Sequence, residues 1–359
     1  MPEKKAFNFS HQAMGTFFEV FVANQAEEYS RSAARAFFRE VDRLEGFLSR
    51  FDPGSEISRI NRLKPGEILP VGLETFECLK LSFQLMVETG GAFNVNFRAA
   101  KKLKEKREGK PVRPLARSVG AERRKRDQEL KEKILKKEVL EKFGVEVEGR
   151  SPGSDVFATG TKSAEESSGP VVLNQEFFIS MFPLEIVEQG GGYAAVRLEV
   201  PGTALDLDLG AIGKGYALEK AGRIFSDWEI DDFLVSAGGS TVYSRGAKPW
   251  PVAVGGGFDF FRPGKILLND RALSGSGHEV KGEHIFDPRR RVECSRHLAV
   301  WVSHPSPAAS DALSTAFMVM NLKEIRAYAK THPEVWALVF SRNKKSHLFD
   351  EMDFFKAGD

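Results

Sequence analysis

The chain has 359 residues, 42% of them hydrophobic and 28% charged, enough for one large or two moderate globular domains with a buried core. A net charge of only +2 leaves no global attraction to nucleic acid or membrane, and no apolar run is long enough to span a bilayer, so neither a nucleic-acid partner nor a membrane-spanning segment is expected. Cys78 and Cys294 lie far apart without zinc spacing, which indicates neither a disulfide framework nor a cysteine metal cluster. The first residues carry no apolar signal core and no lipobox cysteine, so the chain as written reads as cytoplasmic, or as periplasmic if it is a trimmed form.

Gly15 to Val22, rich in aromatic and β-branched residues, predicts a first strand. From Ala26 to Leu48 the residues Ala33, Ala36, Phe37, Val41, Leu44, Phe47 and Leu48 recur at helical spacing. Asp52-Pro-Gly then supplies a turn and Ser55 a helix N-cap, and a second helix over Glu74 to Glu88 is stopped by Gly90-Gly91. Between Lys101 and Lys142 there are 17 Lys/Arg against 8 Asp/Glu, a local +9 that leaves −7 for the remainder. This block reads as a charged, partly helical insert, and Ser151 to Pro170 as a flexible loop, the two interrupting a single domain at about 101–170. Later strands are expected at Tyr193 to Val200, Phe233 to Tyr243, Val252 to Val254, Lys265 to Leu268, His297 to Ser303 and Val335 to Ser341. Helices are expected after Lys214, over Ala308 to Met320 and over Leu322 to Lys330. Strands with segregated helices predict an α+β fold with a largely antiparallel sheet core.

Four short segments carry chemistry. Asp208-Leu-Gly-Ala-Ile-Gly-Lys-Gly215 leads into a helical pattern, where glycines let a phosphate approach backbone N–H groups and Lys214 adds a mobile charge; it is neither a P-loop nor a dinucleotide fingerprint. Asp311 and Thr315 stand four apart on a helix, offering two hard oxygens that suit Mg²⁺ better than zinc. His284 stands three residues before Asp287, which would orient it for proton transfer or nucleotide binding. Leu273-Ser-Gly-Ser-Gly-His278 would wrap backbone amides around a phosphate or ribose. Each has a purely structural reading too: a glycine turn, a helix cap at Asp311, an Asx turn at Asp287-Pro288, and an ordinary Ser-Gly turn.

Taken as an ordered set, Met14-Gly-Thr16, Ser49-Arg-Phe-Asp-Pro through Asn61, Gly90-Gly-Ala-Phe-Asn94, Asp208 to Ala217, Gly238-Gly239, Ser274-Gly275, His284-Ile-Phe-Asp-Pro-Arg289 and Asp311-Ala-Leu-x-Thr315 decide what no single segment does. The chain resembles the FAD:protein FMN transferases, the ApbE-like flavin transferases, over about residues 11–97 and 190–341. The resemblance implies an ApbE-like, T-fold-related α+β domain with a central nucleotide cleft. It implies FAD as substrate, Mg²⁺ as cofactor and a flavin-acceptor protein as partner, with FMN moved to a Thr or Ser hydroxyl and AMP released. It further implies Asp311, Thr315 and the Gly213 carbonyl as metal ligands. Met14, Phe51, Ala92, Phe93, Asn94, Asp208, Lys214, Ser274, His284 and Ile285 fall where the family holds the flavin nucleotide. His284 and Asp311 are the residues assigned to catalysis, with His284 or a nearby carboxylate as base.

Departures from the family pattern cluster on the flavin side. The usual Phe-Asp-Pro-Thr reads Phe93-Asn-Val-Asn96, Phe51 replaces a tyrosine, Gly213 an alanine, Arg290-Arg291 a Thr-Gly pair and Ser240 an asparagine. The resemblance leaves FAD hydrolysis to FMN and AMP as one alternative to transfer, and the departures at 94, 96 and 290 motivate another, flavin binding with little turnover. Asp155 to Thr161 only faintly matches the acceptor pattern of Asp followed by Ser/Thr-Gly-Ala-Ser/Thr, and its spacing argues against self-modification.

Overall fold

The computed structural model describes residues 6–107, 182–189, 193–198, 205–254, 264–278, 285–343 and 345–349. The N-terminal part comprises β1 (Ala6–Ala13), β2 (Thr16–Ala23), α1 (Glu27–Leu48), α2 (Glu56–Ile60), β3 (Ile68–Val71), α3 (Leu73–Glu88) and α4 (Phe97–Arg107). There follow β4 (Leu184–Gln189), β5 (Tyr193–Leu198), α5 (Gly213–Asp227), β6 (Phe233–Ala237), β7 (Thr241–Arg245), β8 (Trp250–Val254), β9 (Gly264–Leu268) and β10 (Arg271–Gly277). The chain continues through β11 (Phe286–Asp287), β12 (Val292–Glu293), β13 (His297–His304), α6 (Pro307–Val319), α7 (Leu322–Thr331), β14 (Trp336–Ser341) and β15 (Ser346–Phe349). The expected insert beyond Arg107, the Ser151–Pro170 loop and His284 lie outside the described residues.

Eight strands form the main sheet in the order β1-β2-β6-β7-β10-β13-β14-β15, every neighbouring pair antiparallel, as the α+β expectation requires. Side chains alternate across it. Phe18, Val20, Val22, Phe233, Val235, Val300, Val302, Ala337 and Val339 point to one face and join the buried residues of the helices in the larger core. Leu234, Leu273, Ala299, Trp301 and Phe340 point to the other, where the β8–β9 hairpin covers them with Trp250, Val252, Ile266 and Leu268. Helix α1 buries Ala33, Phe37, Val41, Leu44 and Leu48. Helix α6 is buried nearly all round, because it packs on β10 and β13 as well as on α5.

The short strands β3, β4, β11, β12 and β15 were not expected, and three further differences bear on the packing. β1 was not anticipated: it is an edge strand with a half-buried, polar-rich face, so its alternation is weak. The strand expected over Phe233 to Tyr243 is two strands, split by Gly238 and Gly239, whose φ of 62° and 67° only glycine adopts freely. The Ser-Gly run before His278 is no turn but β10, paired with β7 on one side and β13 on the other. Its small residues answer to packing: a Cβ at Gly275 would stand 3.0 Å from the Trp301 ring.

Candidate functional site

The site begins with loops tied to one another. Helix α3 ends in a Schellman motif, the Gly91 N–H reaching the Met86 carbonyl at 2.8 Å and the Gly90 N–H the Val87 carbonyl at 3.0 Å. The chain then turns through Ala92-Phe-Asn94, where the Asn94 Oδ1 accepts the Asn96 N–H at 2.7 Å. Asn96 in turn accepts the Asp206 N–H at 2.8 Å, and the Val95 carbonyl accepts the Asp208 N–H at 2.8 Å. From α2, Asn61 grips Leu207 at both ends, its Oδ1 accepting the N–H at 2.6 Å and its Nδ2 donating to the carbonyl at 3.1 Å. Two side-chain amides, the buried Asn96 and the half-buried Asn61, thus replace the strand ladder that residues 205–209 lack, and lead them to α5 on a fixed path.

On the other side, Met14 and Gly15 make the two-residue turn between β1 and β2, with φ of 49° and 68°. Both positive values fit the hairpin twist, and methionine at the first is strained. The Gly238 N–H donates to the Phe17 carbonyl at 2.8 Å, and a Cβ on Gly238 would collide with the Thr16 hydroxyl. This turn delivers Thr241 to the start of β7, opposite Ser274 of β10.

Asp311 sits between these parts. It is buried in the body of α6, not in its first turn; the cap is Ser306, which accepts the Ala309 N–H. That removes the capping explanation for Asp311. Its Oδ2 accepts from the Gly215 N–H at 3.2 Å and from Lys214 Nζ at 3.1 Å; its Oδ1 accepts from Thr241 Oγ1 at 3.2 Å and from Lys214 Nζ at 3.3 Å. Lys214 also donates to the Gly210 carbonyl at 3.0 Å. Gly215 is required for this geometry, since a Cβ there would drive into the Pro307 carbonyl and Ala308, where α5 crosses α6. At Gly213 a Cβ would meet only Leu209 at 3.9 Å, so alanine fits. One turn beyond Asp311, the half-buried Thr315 hydroxyl lies 3.4 Å from Ser276 Oγ, which pairs with Ser314 at 2.8 Å.

The expected anion cradle at α5 differs in this arrangement. The Gly213 N–H is bound to the Leu209 carbonyl at 2.7 Å, the Gly215 N–H serves Asp311, and Lys214 is ion-paired with Asp311. Ser274 is fully buried on β10, its Oγ on the helix side of the sheet and without a hydrogen-bond partner among the described residues. Ala92, Phe93 and Ile285 are buried in the core, so only their backbone can meet a ligand. Phe51, by contrast, is 71% exposed, with the Arg50 guanidinium 4.8 Å from its ring centre, leaving an aromatic face available. Asp287 is buried in an Asx turn, accepting the Arg289 N–H at 2.9 Å and the guanidinium Nε at 3.2 Å. Among the described residues its partners are Arg289 and Arg290, and the pairing expected with His284 falls outside those residues.

Sequence reasoning missed a web of charge beside the cleft. Asp206 receives Lys102 at 2.8 Å, Arg50 at 3.3 Å and Arg98 at 3.3 Å, while Asp208 stands 3.6 Å from Arg50 and 3.9 Å from Arg98. Burial disfavours the ionised Asp206, but the Lys102 hydrogen bond and the two guanidinium groups outweigh it and hold the carboxyl below the usual carboxylate range. The Asp206-Leu-Asp208-Leu alternation was the available signal.

Hard oxygens with a single carboxylate fit a magnesium-like ion, which keeps several waters, and do not fit zinc. Among the described residues there is no cluster of three or more His, Cys, Asp or Glu that would hold a metal, and Asp311 already attracts a cation in the form of Lys214.

The ApbE family model matches residues 14–150 and 177–340. The chain belongs to the ApbE family. Among curated ApbE relatives, it is 23% identical to the FAD:protein FMN transferase of Klebsiella pneumoniae over 334 residues, spanning 89% of this chain and 80% of that one. To the enzyme of the same name from Rhodobacter capsulatus it is 33% identical over 127 residues, 32% of this chain and 24% of that protein. The solved ApbE flavin transferase from Vibrio cholerae superposes with a TM-score of 0.68 at 19% identity over 99% of this chain and all of that one. The apo form of Pseudomonas stutzeri flavinyl transferase ApbE gives 0.66 at 20% identity, covering 99% and 98%, and these likenesses establish the ApbE fold.

Proposed function

We propose that this protein is an Mg²⁺-dependent FAD:protein FMN transferase that moves FMN from FAD to a Thr or Ser hydroxyl of a target protein and releases AMP. The observation that carries the reading is that Asp311 joins the start of α5 to Thr241, which stands opposite Ser274, while Thr315 lies one turn on beside Ser276. The names of the curated relatives support flavin transfer as the activity class.

Asp311 and Thr315 would hold the metal, with the Gly213 carbonyl as a backbone ligand. Magnesium, when bound, neutralises charge on the phosphates and makes their phosphorus more open to attack. Lys214 carries the other positive charge near them. Phe51 offers its exposed ring to a planar group, and the fixed 205–212 path aligns the pyrophosphate with the helix ends. His284 is the proposed base for the acceptor hydroxyl.

The test incubates the purified chain with FAD, Mg²⁺ and a target carrying Asp followed by Ser/Thr-Gly-Ala-Ser/Thr, and reads AMP and the target's mass together. Both AMP and an FMN mass on the target are expected, and Asp311→Ala should lose both by about 10³-fold. AMP and free FMN with an unmodified target would instead establish FAD hydrolysis. Retained FAD with neither product would leave a flavin-binding protein.

A further inference from the structure

Asp311 has no lone pair to spare. Its two oxygens accept from three groups: the Gly215 N–H, the Thr241 hydroxyl and the Lys214 ammonium, the last touching both oxygens at 3.1 and 3.3 Å. Two of these donors are fixed, one being backbone in α5 and the other a completely buried threonine at the head of β7. Lys214 alone can leave, because its ammonium is on a flexible four-carbon stem and its side chain is 19% exposed. A divalent cation seated on Asp311 would lie beside that ammonium, and like charges so close in a partly buried site repel strongly.

The geometry points to Lys214 as a built-in counter-ion that must leave Asp311 when a divalent cation arrives, and whose release hands its charge to the anionic ligand. This rests on the metal reading given above. Lys214 satisfies the buried carboxylate while the site is empty and so keeps α5 and α6 in register. The incoming metal takes over the carboxylate, and the freed ammonium then favours a phosphate. Binding of metal and of phosphate are therefore coupled through one side chain, and by linkage each tightens the other by the same factor.

The experiment is a calorimetric Mn²⁺ titration of the full chain as wild type, Lys214→Met and Asp311→Asn, each with and without saturating AMP, a phosphate monoester that chelates metal weakly in solution. Lys214→Met should bind Mn²⁺ about tenfold more tightly than wild type without AMP. AMP should tighten Mn²⁺ binding about tenfold in wild type and leave Lys214→Met unchanged. Equal or weaker Mn²⁺ binding by Lys214→Met, or AMP coupling that survives the substitution, overturns the inference alone. Wild-type Mn²⁺ affinity that Asp311→Asn does not reduce sinks the metal reading, and the inference with it. Lys214→Gln provides the same comparison should Lys214→Met melt early, and independent binding of AMP and Mn²⁺ to wild type overturns the coupling without any variant.

Discussion

Asp311 and Asp206 are both buried carboxylates, one touching the start of α5 and the other on the path that leads into it, yet the fold treats them in opposite ways. Asp206 faces three cations, Arg50, Arg98 and Lys102, and its charge is more than balanced. Among the described residues Asp311 faces one cation and two neutral donors. A carboxylate with surplus positive charge around it serves as a structural knot and draws anions to its rim. One held by a single displaceable ammonium is suited to receiving a metal. Departures from the family pattern touch both sides, Phe51, Asn94 and Asn96 near Asp206 and Gly213 and Ser240 next to the partners of Asp311, whereas Asp311 and Thr315 themselves stand unchanged.

The sharpest way to break this comparison is through the two glycines that open α5. Gly215→Ala should destabilise the protein by about 3 kcal/mol and separate α5 from α6, because its Cβ has no room beside Pro307. Gly213→Ala, two residues earlier, should stay within about 0.5 kcal/mol. Thermal melting of both variants checks this, and equal effects would mean that the α5–α6 crossing does not depend on Gly215.

Asp206→Asn comes next, with an expected loss of about 2 kcal/mol at neutral pH as three cations lose their shared partner. The folded Asp206 carboxyl lies below its unfolded value, so its contribution is present above the ordinary carboxylate range and is lost as pH falls through the lower folded value. The melting gap between wild type and Asp206→Asn should therefore be widest at neutral pH and close below about pH 4. A gap that widens in acid would contradict the assigned direction.

The smallest effect on stability is expected from Asn94→Asp. The aspartate can still accept the Asn96 N–H, so melting should move by less than about 1 kcal/mol. It restores a carboxylate on the nucleotide side, and flavin affinity, read by fluorescence quenching, should change while Mn²⁺ binding does not. A change confined to metal binding would erase the distinction between the Asp206 and Asp311 sides.

Much of this molecule was legible from its residues. Helices α1, α3 and α5 to α7, the Ser55 cap and the glycine stop after α3 all rest on local periodicity or backbone chemistry, which a chain carries in its own order. β10 was hidden because serine and glycine favour turns locally, while the overlying Trp301 and the neighbouring α6 demand small residues there. The arginines of the Asp206 web were likewise silent, since Arg50, Arg98 and Asp206 lie far apart in the sequence.

The sequence by itself determined the family, the antiparallel α+β class and the pairing of Asp311 with Thr315 on one helix, because each depends on ordered motifs or fixed spacing. Only the tertiary structure decided that Lys214 rests on Asp311, that Asn61 and Asn96 hold the 205–209 path, and that Ser274 is buried without a hydrogen-bond partner among the described residues. Those are contacts between segments tens to hundreds of residues apart. Their energies come from burial and from which hydrogen-bond partners burial leaves within reach, and neither exists until the sheet has closed over the helices.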